Sequence, residues 1–298
     1  MKSIIQISHL KIQNANALSS PYTIGFPAQT AWIGGMTALQ RKLNTRYKNL
    51  KFKGIAVICH DFDLQTYKGH NDYVFSIIGT KNPSNEKGKS PSFVEEARCH
   101  LEVSILIEYE GISGEELENI IEEIKANLNS GLRFAGGDIL SFKRVEIKKI
   151  EDEKSLRKVT RSVMPGFALI ERRDLMVEAM KEGLDCIDAL LKYLVIKNHC
   201  NKDEKDKVTW TKSREIKGWI VPIATGFHGI SIIGKVNNQR DESVPHCFAE
   251  SVVTLGEFIM PHRIESLDEI LWHYSYKEEQ KLYICQQNQN NRKEVFNG

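Results

Sequence analysis

One stretch of the sequence alternates strictly between apolar and polar residues and is followed by a helical period. The apolar positions are Leu101, Val103, Ile105 and Ile107, and the polar positions before and between them are Arg98, His100, Glu102 and Ser104. A period of two predicts a strand with one packed face and one polar face. The capping-box sequence at residues 113–116 and an apolar stripe that ends at Leu128 then predict a helix, with Gly131 placed to end it. A sheet in this chain therefore has one buried face and one polar face.

The predicted elements of the first half follow the order strand, helix, strand, strand, helix, strand. Strands are predicted at residues 4–12 and 54–62, a helix at 30–43, and a last strand from Phe142 to Ile147. This is the order of the ferredoxin-like split βαβ fold, in which both helices cover one sheet face and leave the other open. We therefore predict an α+β fold.

The predicted domain organisation divides the chain near residue 150. A ferredoxin-like βαββαβ domain occupies residues 1–150, with an inserted polar loop at about 63–97. A mixed α/β region at residues 151–298 packs on it. Its first residues, 151–158, form a charged run that is typical of a linker or a solvated helix face.

A polar segment follows the first strand. Its short polar residues are Asn14, Asn16, Ser19 and Ser20, and Pro21, Gly25 and Pro27 close it. Amide and hydroxyl side chains bond either to the backbone or to a ligand. Composition therefore leaves two interpretations open, a polar loop beside an edge strand and a loop that contacts a ligand. Phe26 is the candidate for stacking on a base, and packing in the core is its other interpretation.

A glycine-rich turn lies between the second helix and the last strand. Gly136 and Gly137 allow backbone N–H groups to approach a bulky ligand such as a phosphate, and Arg133 beside them adds a charge-assisted contact. Arg144, just downstream, extends this basic surface. A tight turn without a ligand and a solvated arginine remain the alternatives for these positions.

Composition limits the class of protein further. The formal net charge is only +2, so nucleic-acid contact needs a locally basic surface, which fits a subunit that shares its ligand with partners. Four of the six cysteines stand beside a histidine, but there is no C-x-x-C pair and strand neighbours point to opposite faces. We expect no metal and no cofactor. Without a secretory signal or a long apolar run, we expect a cytoplasmic protein with no membrane contact.

Several strings, in order along the chain, resemble one CRISPR family. They are Gln13–Ala17 (QNANA), Ser19-Ser20-Pro21, Gly25-Phe26-Pro27, Val94-Glu95-Glu96 with Arg98, His100–Ser104, Arg133 with Ala135-Gly136-Gly137, Met164–Leu169, Gly218–Ile223, Leu255-Gly256-Glu257 and Pro261-His262-Arg263. The family is that of the RAMP-type subunit of the type I-F (Csy) surveillance complex. Phe258 stands where the family pattern has a tryptophan, and it keeps an aromatic residue there.

The resemblance implies a non-catalytic subunit in antiviral defence that binds the 5′ handle of the guide RNA (crRNA). The partners it implies are the large subunit and the backbone-filament subunit, with target DNA contacted only indirectly through base pairing to the guide. The expected contacts to base and sugar edges come from Asn14, Asn16, Ser19 and Ser20. Those expected at phosphates or on the basic surface are Arg98, His100, Arg133, Gly136, Gly137 and Arg144, with Phe26 for stacking.

Two other functions remain open at this point. Some relatives in the broader RAMP group cut repeat RNA, so a metal-independent endoribonuclease that processes CRISPR repeats is the alternative, with His60 or His100 as general base. A protein unrelated to nucleic acid is the third, and only the ordered series of matches argues against it.

Overall fold

The computed structural model describes residues 2–80, 84, 86–89, 96–112, 114, 116–202, 207–239 and 241–288. The helices are α1 (Gln29–Leu43), α2 (Glu116–Asn129), α3 (Glu153–Ser162), α4 (Arg173–Lys181) and α5 (Cys186–Leu194), with the 3-10 helices η1 (Pro261–Arg263) and η2 (Leu267–Glu269). The strands are β1 (Lys2–Asn16), β2 (Leu18–Ser20), β3 (Thr23–Ile24), β4 (Lys51–Leu64), β5 (Thr66–Tyr67), β6 (Ser76–Ile77), β7 (Gly79–Thr80), β8 (Glu96–Glu110), β9 (Arg133–Phe134), β10 (Gly137–Ser141), β11 (Arg144–Ile150), β12 (Phe167–Glu171), β13 (Lys197–Lys202), β14 (Val208–Ser213), β15 (Ile220–Gly229), β16 (Ala249–Ile259), β17 (His273–Lys277) and β18 (Leu282–Gln286).

One antiparallel sheet of twelve strands runs through both halves of the chain. Its order is β17-β18-β15-β16-β12-β4-β8-β1-β10-β9, with β11 also paired to β1 and β7 to β8. Strand β12 joins the halves by pairing with β4. The sheet curls back on itself, because the amide of Trp272 donates to the carbonyl of Ile55 at 2.8 Å and the reverse bond measures 3.0 Å. The predicted α+β class is confirmed.

Helices α1 and α2 cover one face of the sheet. Their apolar stripes pack on the inward side chains of the four long strands of the first half. The fully buried members include Trp32 and Leu39 of α1, Ile124 of α2, and Ile7 and Ile105 of the sheet. The alternation that predicted a packed face on β8 therefore identifies the correct residues.

The opposite face is only half open, which corrects the prediction of a free face. Helix α3 packs Leu156, Val159 and Val163 onto Ile4 and Leu106, and residues of η2 complete this second core. The charged segment at 151–158 is thus largely part of a helix with a buried apolar side. Among the described residues, α3 and η2 leave uncovered the end of the sheet where β1 finishes and β8 begins.

Two bulges in β1 shape that uncovered end. The register of β1 against β8 shifts between Ile7 and Leu10 and again between Ile12 and Ala15. His9 and Asn14 lie at these shifts and adopt left-handed backbone conformations, with φ of +52° and +55°. Each bulge adds one residue and re-aims the side chains around it. The strand therefore continues through residues 13–16, where the sequence suggested a loop.

No helix within the described ranges is long and apolar enough to cross a membrane.

Candidate nucleic-acid interface

Polar side chains from three strands meet at the uncovered end of the sheet. This group is here named the polar end, and it consists of His9, Lys11, Asn14, His60, Gln65, Arg98, His100 and Glu102. The residues between them point the other way: Cys59 and Cys99 lie in the core, where burial raises the pKa of each thiol to about 12. The side chains of the pairs Cys59-His60 and Cys99-His100 therefore point to opposite faces of the sheet, as the strand period predicts.

Asn14 is held at the centre of the polar end by its neighbours. Its side-chain oxygen accepts a hydrogen bond from Gln65 at 2.7 Å, and its amide donates to Nδ1 of His100 at 3.4 Å. Its carbonyl accepts from Arg98 at 3.4 Å, while the same guanidinium pairs with Glu96. Asparagine is one of the few residues that tolerates positive φ. Asn14 is nonetheless exposed, so its side-chain carboxamide is presented to solvent from a fixed position.

The glycine-rich turn lies directly beside this strand end. The amide of Asn16 donates to the carbonyl of Ala135 at 2.8 Å, and Gln13 is paired with Asp138. A Cβ on Gly136 would lie 3.9 Å from that of Asn16, and Gly136 is exposed. The structure thus brings together the amide-rich segment and the glycine-rich turn, which are about 120 residues apart in the sequence.

The two predicted arginines around the turn are both paired with carboxylates. Arg133 donates from Nε to Asp138 at 2.8 Å, and about two thirds of its side chain is exposed. Arg144 lies opposite Ser8 on the neighbouring strand and pairs with Glu146 at 3.2 Å. Arg133 therefore borders the polar end, whereas Arg144 lies further along β1. A phosphate at either site would compete with a carboxylate.

Four of the predicted contact residues are turned away from solvent or already bonded. The hydroxyls of Ser19 and Ser20 lie 2.8 and 2.7 Å from that of Thr23, and Ser20 is buried. Phe26 is 6% exposed and its ring is 5.7 Å from that of Trp32. Gly137 is buried, and it packs so closely on β1 that a Cβ there would lie 2.7 Å from the carbonyl oxygen of Gln13. These residues build the turns, and the burial of Phe26 favours packing in the core, the other interpretation of that residue.

A histidine pair that the sequence analysis partly missed, His9 and His60, also lies in the polar end. The rings of His9 and His60 stack with their centroids 4.3 Å apart. Nδ1 of His9 is 2.6 Å from a carboxylate oxygen of Glu102. The only sequence signal for His9 is the change of apolar phase from Ile5 and Ile7 to Leu10 and Ile12, which indicates an inserted residue.

Both ring nitrogens of His60 are committed to protein partners. Nδ1 lies 2.6 Å from the carbonyl oxygen of Pro165, which can only accept, so this nitrogen carries the proton. Nε2 then accepts from the hydroxyl of Ser104 at 2.6 Å, and that hydroxyl oxygen accepts from the amide of His9 at 3.1 Å. His60 is therefore a neutral, structural histidine.

The surroundings of the histidine pair lower the pKa of His60 and of the neighbouring carboxyl group of Glu102. Burial lowers the pKa of His60, and the nearby His9 lowers it further. The hydrogen bond from His9 lowers the pKa of Glu102, so this carboxylate is ionised at neutral pH.

Among the described residues, no three His, Cys, Asp or Glu side chains are arranged to hold a metal ion.

The low pKa of His60 predicts a loss of stability on acidification. The unfolded chain takes up a proton at this imidazole near its ordinary pKa of about 6.5, whereas the folded chain does not until lower pH. The stabilisation is therefore present above about pH 6.5 and is lost as the pH falls through the lower folded-state pKa. We expect the melting temperature of the wild type to fall between pH 7 and pH 5, and to fall less in His60→Gln. His100→Gln is the matched control, and an equal fall in all three proteins would contradict the assignment.

An exposed aromatic segment follows β4 and is tied to the polar end. The amide of Ile78 donates to the carbonyl of Gln65 at 3.0 Å, and the amide of Gln65 donates to that of Arg98 at 2.9 Å. Within this segment Tyr73 is 97% exposed and Phe75 is 66% exposed. Rings this accessible are available for stacking on unpaired bases. The sequence analysis placed this region in the inserted loop and assigned it no RNA contact.

The fold and the polar end together define a class of protein. It is an α+β protein whose curled sheet presents amides, imidazoles and guanidinium groups at one uncovered end, next to a glycine-rich turn.

Comparison with known proteins identifies the family. Residues 5–285 match the family described as CRISPR-associated protein (Cas_Csy2). The chain is also similar to CRISPR-associated protein Csy2 of Pseudomonas aeruginosa (strain UCBPP-PA14), with 33% identity over 313 aligned residues that cover 95% of this chain and 94% of the relative. The chain therefore belongs to the Cas_Csy2 family, and the predicted membership among type I-F Csy complex subunits is confirmed.

Proposed function

We propose that this protein binds the unpaired 5′ handle of the guide RNA at the polar end and does not cut it. One observation carries the proposal: the exposed turn at Gly136 lies against Asn16, two residues along β1 from the exposed side chain of Asn14. Sequence-specific RNA recognition mostly uses unpaired nucleotides, whose base edges are free to hydrogen-bond. A fixed amide beside a backbone turn suits this task.

The proposed contacts divide by chemistry. The amides of Asn14 and Asn16 serve base or sugar edges, because an amide both donates and accepts. Arg98 and Arg133 serve phosphates, since a guanidinium forms paired, charge-assisted bonds with phosphate oxygens. With a net charge of only +2, the attraction comes from these local groups rather than from the whole molecule. Tyr73 and Phe75 replace Phe26 as the proposed stacking residues.

The geometry of His60 supports a role without catalysis. A general base must have a ring nitrogen within reach of the substrate proton. Both nitrogens of His60 are held at 2.6 Å by Pro165 and Ser104. Nδ1 of His100 lies 3.4 Å from the backbone amide of Asn14, and its Nε2 lies 3.3 Å from the side-chain nitrogen of Gln65. The endoribonuclease alternative therefore has no free base among the two histidines proposed for it.

The wider assignment rests on the family and on strand order. The four long strands of the first half run β11-β1-β8-β4, with α1 and α2 on one face. This order supports a ferredoxin-like RAMP domain at residues 1–150, with residues 151–298 as the region packed on it. We propose the large subunit and the backbone-filament subunit of the Csy complex as partners in the cytoplasm, with target DNA contacted only through the guide.

The proposal is tested by a matched pair of variants. Arg98→Ala combined with Arg133→Ala is expected to weaken binding of a fluorescent handle RNA about tenfold at low salt, with the salt dependence reduced by roughly 0.7 per lost phosphate contact. Arg46→Ala is the control, because Arg46 is also an exposed arginine paired with a carboxylate, Glu123 at 3.6 Å, but it lies by the helices. Fluorescence anisotropy of the full chain measures both.

Two results would contradict the proposal. Equal affinities of the double variant and Arg46→Ala at low salt would remove the polar end from the interface. A defined RNA product after metal-free incubation with repeat RNA, lost in His100→Ala, would establish the endoribonuclease instead.

A further inference from the structure

His9 is placed as a ligand-binding residue rather than as a packing residue. Its bulge lifts it out of the regular β1 alternation, with φ of +52°, and about a quarter of its side chain is exposed. Nδ1 is fixed at 2.6 Å from Glu102, and the ring plane is fixed by stacking on His60 at 4.3 Å. Nε2 has no protein partner among the described residues. A histidine whose ring is fixed in this way, and whose Nε2 has no partner among the described residues, is positioned to bind a ligand from outside the chain.

The carboxylate of Glu102 determines which protonation state of His9 can bind an anion. A neutral imidazole that donates from Nδ1 to Glu102 has an accepting lone pair at Nε2, which repels a phosphate oxygen. When the ring is protonated, Nδ1 still donates to Glu102 and Nε2 becomes a second donor. Only the protonated ring can therefore join Glu102 to a phosphate.

The charges that face His9 balance each other before RNA arrives. On β1, Lys11 lies 3.7 Å from the second oxygen of Glu102. On β4 the facing groups are the neutral ring of His60 and Asp61, which is paired in register with Glu102 of β8. On β11, Arg144 lies opposite Ser8 and pairs with Glu146, which Lys148 also contacts at 2.9 Å. The nearby cations are therefore already matched by carboxylates, and an added phosphate would favour uptake of one more positive charge.

We propose that His9 binds a backbone phosphate of the guide RNA through Nε2 in its protonated form, so that RNA binding takes up one proton at the polar end. This inference rests on the proposed function, since it places the same RNA on the same surface. The proton comes from solvent and no covalent bond changes. His60 does not share the task because both of its nitrogens are engaged.

The test is the pH dependence of binding by the full chain, with the handle RNA and a scrambled RNA of equal length as probes. For one linked proton, the dissociation constant of the wild type for handle RNA is expected to rise about tenfold from pH 6 to pH 8. His9→Asn is expected to bind as weakly as the wild type at pH 8 at every pH, and asparagine tolerates the left-handed backbone at this position. His9→Lys carries a permanent charge and is expected to bind tightly without pH dependence. His228→Asn is the control expected to keep the wild-type profile, because His228 on β15 also lies near a carboxylate, Glu250 at 3.1 Å, but is outside the polar end.

The outcomes separate this inference from the proposed function. A dissociation constant for handle RNA that is the same at pH 6 and pH 8, with the preference over scrambled RNA retained, would overturn the proton-linked role of His9 and leave the proposed function intact. An unchanged pH profile in His9→Asn would overturn it as well, because the proton would then bind elsewhere. Equal binding of the two RNAs at every pH would overturn both.

Discussion

Gly137→Ala is expected to destabilise the folded chain by about 2–3 kcal/mol, as overpacked positions commonly do. The added Cβ would lie 2.7 Å from the carbonyl oxygen of Gln13 and 2.9 Å from the Cα of Ala15. Both atoms belong to the backbone of β1, so no side chain can rotate away and the turn itself must move. Because the turn carries Gly136 beside Asn16, handle-RNA binding should weaken together with stability. Urea unfolding and anisotropy measure the two effects.

Gly136→Ala is the matched control, since it adds the same atom one residue away. Its Cβ would meet only that of Asn16, at 3.9 Å, and the cost comes from its left-handed φ of +75°. We expect about 1–2 kcal/mol for that strain. If Gly136→Ala were the more destabilising of the two, the close packing of the turn on β1 would be refuted.

Arg172→Ala is expected to cost about 3–5 kcal/mol, the usual effect of leaving a buried charge without its partner. The Arg172 side chain is 7% exposed and pairs with Glu257, which is 9% exposed, and with Asp174 at 3.0 Å. These residues join β12 to β16 near the point where the two halves of the chain share one sheet. Removal of the guanidinium leaves the carboxylate of Glu257 buried and uncompensated. Chemical denaturation of the full chain measures the loss.

A double variant distinguishes the buried charge from simple loss of packing. Arg172→Met combined with Glu257→Leu replaces both partners with apolar side chains, which in other proteins is often close to neutral. We expect the double variant to be more stable than Arg172→Ala. A double variant that is less stable than the single one would show that the ion pair itself, rather than the orphaned carboxylate, determines stability here.

The sequence predicted the elements whose side-chain period is regular. The alternation on β8 identified both of its faces, and the apolar stripe of α2 together with Gly131 located that helix, although Ser113 and Glu115 of its capping box lie outside the described residues. Each of these patterns is set locally, by the period of a single element. The same local rule, that strand neighbours point to opposite faces, correctly separated Cys59 from His60.

Features that depend on distant pairing were missed. Residues 13–16 have the composition of a loop, yet they form strand because β8 and the glycine-rich turn pair with them from both sides. The face expected to be open is half covered by α3, whose three buried apolar residues stand among charged ones. Phe26 was left between stacking on a base and packing in the core, because its partner Trp32 is defined only by the fold.

The grouping of the candidate site residues was predicted only in part, because it depends on the pairing of strands that are distant in the sequence. Asn14, Asn16, Arg98, His100, Arg133 and Gly136 come together or border one another because β1, β8 and the glycine-rich turn are neighbours in the sheet. His9 was overlooked because a single histidine in an apolar strand carries no pattern of its own. Its position depends on a bulge, on Glu102 from one strand and on His60 from another.

Photo-crosslinking tests most directly the claim that the polar end holds the RNA. A guide RNA with 4-thiouridine in its 5′ handle would be assembled with the full chain and the other subunits of its complex, irradiated, and the cross-linked peptides identified by mass spectrometry. We predict cross-links within residues 9–16, 96–104 and 133–138. Cross-links confined to the helical side, at residues 29–43 and 116–129, would contradict the account.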